Sequence, residues 1–311
     1  MQDIVTLTLN PTLDVAYEVD RVFHTHKMRT RAEHYNPGGG GINVARVLKR
    51  LGADVRCVYL AGGATGPALD GLVEQHDLDF TRIPIAGPTR IATAILERES
   101  GKEYRFTPAG PTLAHSEWRA CLEAVATTRC RYLIASGSLP PGAPDDFYAR
   151  LTAAVAGNGT KVVLDSSGNG LKAGLAAGGV HLVKPSCGEL RTLVGRDLED
   201  DASIARAAME IVSSGQAEMV AVTIGHLGAL LARTDGVVRL PALTVEAKSA
   251  VGAGDSFLAA MVFGLLRGED PVEALRLGIA AGAAAVLNPG TNLAHPEDIR
   301  RLLPTVATVQ P

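Results

Sequence analysis

Asp255 directly follows the turn Gly252-Ala253-Gly254. Behind it, Phe257, Leu258, Met261, Val262, Leu265 and Leu266 recur at helical spacing. Glycines let backbone N–H groups approach a ligand, and a helix N-terminus favours negative charge. A carboxylate here stands where an anionic phosphate and a general base would meet. That is the chemistry of moving a phosphoryl group onto a hydroxyl. Taken alone, these residues also fit a helix with an acidic first turn behind a flexible loop.

The run Pro37-Gly38-Gly39-Gly40-Gly41-Ile42-Asn43-Val44-Ala45-Arg46 is the second strong feature. Four glycines ahead of a helix oppose helix propensity, so something needs a bare backbone there. A polyhydroxylated or anionic ligand is the natural candidate, with the Asn43 amide both donating and accepting. The run lacks the Gly-Lys-Ser/Thr ending of a Walker A loop and the third glycine of a dinucleotide fingerprint. Asp14 lies just past the first strand, where open α/β sheets bind ligands, and could accept hydrogen bonds from sugar hydroxyls. Lys27, Arg29, Arg90 and Arg105 are spread over two segments outside the main rhythm of the chain. If they converge, the substrate carries a phosphate of its own.

Further candidates fall at strand ends. Ser138 lies in Ser136-Gly-Ser-Leu-Pro-Pro-Gly142, Asp165 opens Asp-Ser-Ser-Gly168, and Lys184-Pro-Ser186-Cys-Gly-Glu189 follows the next strand. Asp165 and Glu189 could hold Mg²⁺ through water, and Lys184 could reach nucleotide phosphates. Thr223-Ile-Gly225 and Gly228 place glycines after another strand, suited to nucleotide contact. Each is also an ordinary turn when read singly; one active-site rim would gather them all.

The elements that must position these residues alternate. Ile4–Leu9, Val55–Leu60, Arg131–Ala135, Lys161–Leu164, His181–Val183 and Met219–Thr223 read as strands. Between them, Ile42–Leu51, Gly66–His76, Ser116–Ala126, Pro144–Ala156, Leu171–Ala177 and Ala202–Ser213 read as helices. The pattern implies an α/β fold with a mostly parallel sheet covered on both faces. The last third reads as helices over Ala253–Arg267, Pro271–Leu287 and Pro296–Leu303. Two segments, about 15–35 and 90–107, break the rhythm and predict a small antiparallel lid on a single domain spanning 1–311. A lid would exclude water from phosphoryl transfer.

With 46% hydrophobic and 20% charged residues the chain can build a substantial core. A net charge of −3 without a basic block argues against nucleic acid as a partner. No apolar run nears the about 18 residues that span a membrane, and the N-terminus reads as a strand rather than a signal peptide. Cys57, Cys121, Cys130 and Cys187 have no metal-type spacing and are expected reduced, in the cytoplasm; Cys187 falls beside candidate residues. His24 and His26 read as solvated surface, and the tail 306–311 is expected to fray.

The chain resembles the PfkB (ribokinase-like) carbohydrate kinases from Asn10 to Asn292, through the glycine run ending at Asn43 and the run Ala250–Ser256. The resemblance implies a three-layer α/β/α fold with a β lid, the β-clasp, which pairs two subunits into a homodimer. It implies Asp255 as base and the amides of Gly252, Ala253 and Gly254 as anion hole. Asp14, Gly39 and Asn43 would hold the sugar, with Lys27, Arg29, Arg90 and Ser138 near its phosphate. Lys184, Thr223, Gly225 and Gly228 would contact ATP, with Ser186 in the same loop and Mg²⁺ held near Glu189 and Asp165. Ser249, Val251, Ala285, Asn288 and Gly290 resemble loops that bind K⁺. The motifs are most similar to those of the glycolytic 6-phosphofructokinases. In 1-phosphofructokinases and tagatose-6-phosphate kinases, the alternative activities, a lysine stands at the place of Gly40. Two residues depart from the pattern: Ser186 where the family has asparagine, and Asn292 where similar chains have a basic residue. The Ser186 departure motivates an alternative of another class, a non-catalytic sugar-phosphate sensor.

Overall fold

A computed structural model describes residues 2–288, 290 and 292–308. The chain opens with β1 (Gln2–Thr8), β2 (Thr12–Val19), β3 (Arg31–Gly38), α1 (Gly40–Leu51), β4 (Val55–Gly62), α2 (Gly66–Glu74) and β5 (Asp79–Ile85). It continues through β6 (Arg90–Glu97), β7 (Glu103–Phe106), α3 (His115–Ala126), β8 (Cys130–Ser136), α4 (Phe147–Val155), β9 (Lys161–Asp165), α5 (Gly168–Ala176) and β10 (Val180–Val183). Then follow α6 (Cys187–Val194), α7 (Asp201–Ser213), β11 (Ala217–Thr223), β12 (Gly228–Arg233), β13 (Gly236–Pro241), α8 (Ala253–Leu266), α9 (Pro271–Val286) and α10 (Pro296–Leu302).

The main sheet has nine strands in the order β13-β12-β11-β10-β9-β8-β1-β4-β5. Seven run parallel; β12 and β13 are antiparallel at one edge. Side chains alternate between the faces with period two. Ile4, Tyr59, Ile134 and Val163 meet α1, α8 and α9 on one side. Val5, Leu7, Leu133 and Leu164 meet helices α3 to α7 on the other. Burial on both faces is why the strands read as continuous apolar runs. α8 is apolar nearly all round, with Leu258, Ala259, Ala260, Met261 and Val262 fully enclosed, because it is sandwiched between α1, α9 and the sheet.

The strand order reverses between β1 and β8, which opens a crevice at their carboxyl ends. Every expected strand and helix forms. β5, the β12–β13 hairpin and α6 go beyond the expectation. β5 carries Arg82 and Pro84, tolerable because it is an edge strand. α6 is too short for periodicity, with Leu190 its sole buried residue among those described.

The lid is a separate four-stranded sheet, β3-β2-β6-β7. It corrects one expectation. β2 and β6 pair in parallel, Thr12 beside Arg90 through Val19 beside Glu97, so the lid is mixed rather than antiparallel. The outer pairs, β2–β3 and β6–β7, are antiparallel as expected. The parallel pairing follows from connectivity: β1 leads into β2 and β5 leads into β6 at the same rim of the main sheet.

Candidate active site

α8 begins at Gly252, whose φ of 71° suits glycine and whose missing Cβ leaves room for the Leu293 side chain. Among the described residues no side chain caps the helix, which leaves its first N–H groups open. Asp255 lies in this first turn, and the Asn43 Nδ2 donates to its Oδ2 at 2.9 Å. Burial, with Asp165 adding to it, pushes the Asp255 carboxyl up to about 6, while Asn43 and Lys184 oppose the shift.

Lys184, 5% exposed, forms an ion pair with Asp165 at 3.0 Å. Burial alone would discharge it, but Asp165, Asp255 and Glu189 outweigh burial and hold the ammonium above its ordinary range. A Cβ on Gly254 would stand 3.5 Å from the Lys184 Nζ, so a cation borders the open helix end. This combination of N–H groups, cation and carboxylate suits a transferring phosphate.

The glycine run is explained first by the protein's own packing. A Cβ on Gly38 would strike the Asp14 carboxylate, and one on Gly40 the Ser136 Oγ. A Cβ on Gly41 would meet the Thr8 Oγ1 at 2.5 Å, and Gly39 combines a φ of 109° with Thr8 at 2.7 Å. The run thereby brings Asp14, Asn43 and the end of β8 together. Burial pushes Asp14 up to about 6, with Arg46, Thr12 and Arg90 pulling it back. Asp14 lines a small cavity with Arg105, Val251 and Gly290, between lid and main sheet. Arg105 is held there by Glu103 through two contacts of 2.9 and 3.0 Å.

Arg90 and Ser138 line one cleft of about 600 Å³. The guanidinium already donates to the carbonyls of Asn10, Pro108 and Pro11 at 2.7, 2.8 and 3.4 Å. Lys27 and Arg29 are not brought to it. Both are exposed in the loop 20–30, at the far end of β2 from Asp14, a span of about 17 Å at the usual strand rise.

Ser186 and Glu189 form a reciprocal cap on α6. The Ser186 N–H and Oγ donate to the Glu189 Oε2 at 2.7 and 2.9 Å, while the Oε1 has no hydrogen-bond partner among the described residues. Ser186 bridges in parallel to Thr223, so the lysine loop and the Thr223–Gly228 turn are neighbours. Gly228 is needed for packing against the Leu240 carbonyl, whereas Gly225 faces open space. Among the described residues no three His, Cys, Asp or Glu side chains stand together as a metal site. A divalent ion that keeps most of its water and phosphate ligands fits Glu189 and Asp165; a cage built by protein does not.

The loop at Ser249 and Val251 meets the end of α9, where Lys248 and Ser249 donate to the Val286 carbonyl at 2.7 and 3.4 Å. Asn288 bonds the Ala284 and Leu293 carbonyls at 3.1 and 3.3 Å. Two backbone loops at a helix C-terminus suit a monovalent cation. Asn292 is exposed beside this strap. A concavity of about 770 Å³ lies at the opposite rim, at the amino ends of β9, β10 and β11, away from all these residues.

Arg46 escaped the sequence reading. It is 2% exposed, one turn after Asn43, and nothing in a lone helical arginine signals burial.

The model of the pfkB family of carbohydrate kinases matches residues 7–298. An ATP-dependent 6-phosphofructokinase isozyme 2 of Mycobacterium tuberculosis is 42% identical over 306 residues, 98% of this chain and 90% of that protein. Phosphofructokinase-2 of Escherichia coli, crystallised with potassium, is 38% identical with a TM-score of 0.94, covering 98% of this chain and 99% of that one. The same Escherichia coli enzyme with fructose 6-phosphate superposes with a TM-score of 0.92 at 36% identity and the same coverage.

Proposed function

The chain belongs to the pfkB family of carbohydrate kinases, and on that premise we propose ATP-dependent phosphorylation of fructose 6-phosphate to fructose 1,6-bisphosphate. The whole chain would act as one ribokinase-like kinase domain. The observation that carries this reading is the buried Asn43–Asp255 pair at the open N-terminus of α8, with Lys184 beside Gly254.

Asp255 accepts the proton of the sugar hydroxyl as its oxygen attacks the γ-phosphorus. The bond to the β–γ bridging oxygen breaks and ADP leaves. The N–H groups of Gly252, Ala253 and Gly254, together with Lys184, take up charge on the transferring group. Positioning supplies most of the remaining acceleration. Asp14, Gly39 and Asn43 hold the sugar hydroxyls, and Arg90 and Ser138 its phosphate. Lys184, Thr223, Gly225 and Gly228 hold ATP. Glu189 and Asp165 would hold Mg²⁺ through water, and the ion would supply charge neutralisation of the nucleotide's phosphates. Ser249, Val251, Ala285, Asn288 and Gly290 would hold K⁺.

The lid supports a homodimer. Among the described residues, six of the eight exposed large apolar side chains, Val22, Phe23, Tyr35, Ile91, Leu96 and Phe106, lie on it or its loop. A patch of that kind marks an interface. In a lid-paired dimer, Lys27 and Arg29 serve the second copy's pocket across the interface, since their own Asp14 is out of reach. The intact Ser186–Glu189 cap supports turnover rather than a sensor without catalysis.

An ATP-consumption assay over fructose 6-phosphate, fructose 1-phosphate, tagatose 6-phosphate and fructose, with and without K⁺, tests the acceptor. The highest kcat/KM is expected for fructose 6-phosphate, with K⁺ raising turnover. Preference for another phosphate would move the assignment to that sugar. Absence of turnover with all four would favour the sensor.

A further inference from the structure

Taking a guanidinium out of water is costly unless the charge is paired, yet Arg46 forms no ion pair among the described residues. Its donors go to neutral oxygens. Nη1 donates to the Asn43 Oδ1 and to the Pro37 carbonyl, each at 3.3 Å. Nη2 donates to the Asn36 Oδ1 at 3.0 Å, and Nε has no partner. Asn36 and Pro37 lie at the end of the lid strand β3, and Asn43 reaches on to Asp255.

We infer that Arg46 is a positioning residue that locks the Asn43 amide toward Asp255 and ties this lock to the end of the lid strand. The inference rests on Asp255 being the base. A guanidinium only donates and an ionised carboxylate only accepts. With Asn43 between them, one amide orientation satisfies both. The reverse orientation sets donor against donor and acceptor against acceptor. The planar fork spans the oxygens of Asn36, Pro37 and Asn43 together, which an ammonium cannot do. The lid's anchor and the base's hydrogen-bond partner are therefore set by one group, whose charge also faces Asp14 and Asp255. The other charges facing Asp255 are Asp165, Lys184 and Asp14.

The test is a double-variant cycle of kcat with fructose 6-phosphate and ATP saturating, using Arg46→Met, Asn43→Ala and both together. Arg46→Met is expected to lower kcat about tenfold while the ATP KM stays within about twofold, and to cost under about twofold in the Asn43→Ala background. Arg46→Lys, which keeps the charge and a donor, is expected to recover about threefold of that loss. Losses that multiply in the double variant, or equal impairment by Lys and Met, overturn the inference. Should Arg46→Met fail to fold, Arg46→Lys and Arg46→Gln in both Asn43 backgrounds give the same comparison. If Asp255→Asn retains turnover, the base assignment has failed. If Asp255→Asn is inactive and the losses still multiply, the inference alone has failed.

Discussion

A base has to be ionised before it can accept a proton, and Asp255, the base we propose, is held at the edge of that condition. Its carboxyl is pushed up from 3.8 to about 6, so ionisation completes only as pH rises past that value. The kcat/KM for the sugar phosphate is therefore expected to fall below about pH 6 and to level off above it. Asp14, also raised to about 6 by burial, titrates in the same window, so the fall should be steeper than a single proton gives. A pH profile at saturating Mg-ATP checks this; an acid limb near 3.8 contradicts it. Asp255 and Asn43 could be found in the sequence because glycine runs flag backbone that must be bare. Arg46 could not, since charged residues on helices face solvent by default and its burial depends on how Asn36 and Pro37, at the end of the preceding strand β3, fold back onto α1.

At the scale of elements, the glycine run shows what a sequence reads correctly for an incomplete reason. Four glycines announced a tight approach, but each Cβ would meet the protein itself: Asp14, Thr8, Ser136 and Thr8 again. Gly40→Ala is expected to destabilise the fold by about 1–3 kcal/mol through overpacking. Ser136→Ala, which removes the struck Oγ, should offset part of that cost. Thermal melts of the two single variants and the double variant measure it, and strictly additive losses contradict the packing. The strands and helices of the main sheet were evident because burial on both faces leaves continuous apolar runs. The parallel β2–β6 pairing was not, because strand direction in the lid comes from where β1 and β5 end rather than from residue alternation.

At the scale of the whole molecule, the lid leaves an apolar face uncovered, and two exposed cations of its loop, Lys27 and Arg29, form no ion pair among the described residues. Composition could not locate that face, because the side chains are exposed only in the assembled sheet. Phe106, 57% exposed, and Ile91, 45% exposed, lie on it. Phe106→Glu together with Ile91→Asp is expected to turn a dimer into a monomer in sedimentation and to weaken sugar-phosphate binding about tenfold or more. A wild-type monomer of full activity contradicts the dimer. The measurement that bears most directly on the chemistry is ATP turnover on fructose 6-phosphate by Asp255→Asn. Removing a buried carboxylate should leave the melting temperature unchanged or raise it, so the variant reports chemistry rather than folding. A folded variant with kcat reduced by about 10²-fold or more is expected. A variant that turns over within a few-fold of the wild type contradicts Asp255 as the base.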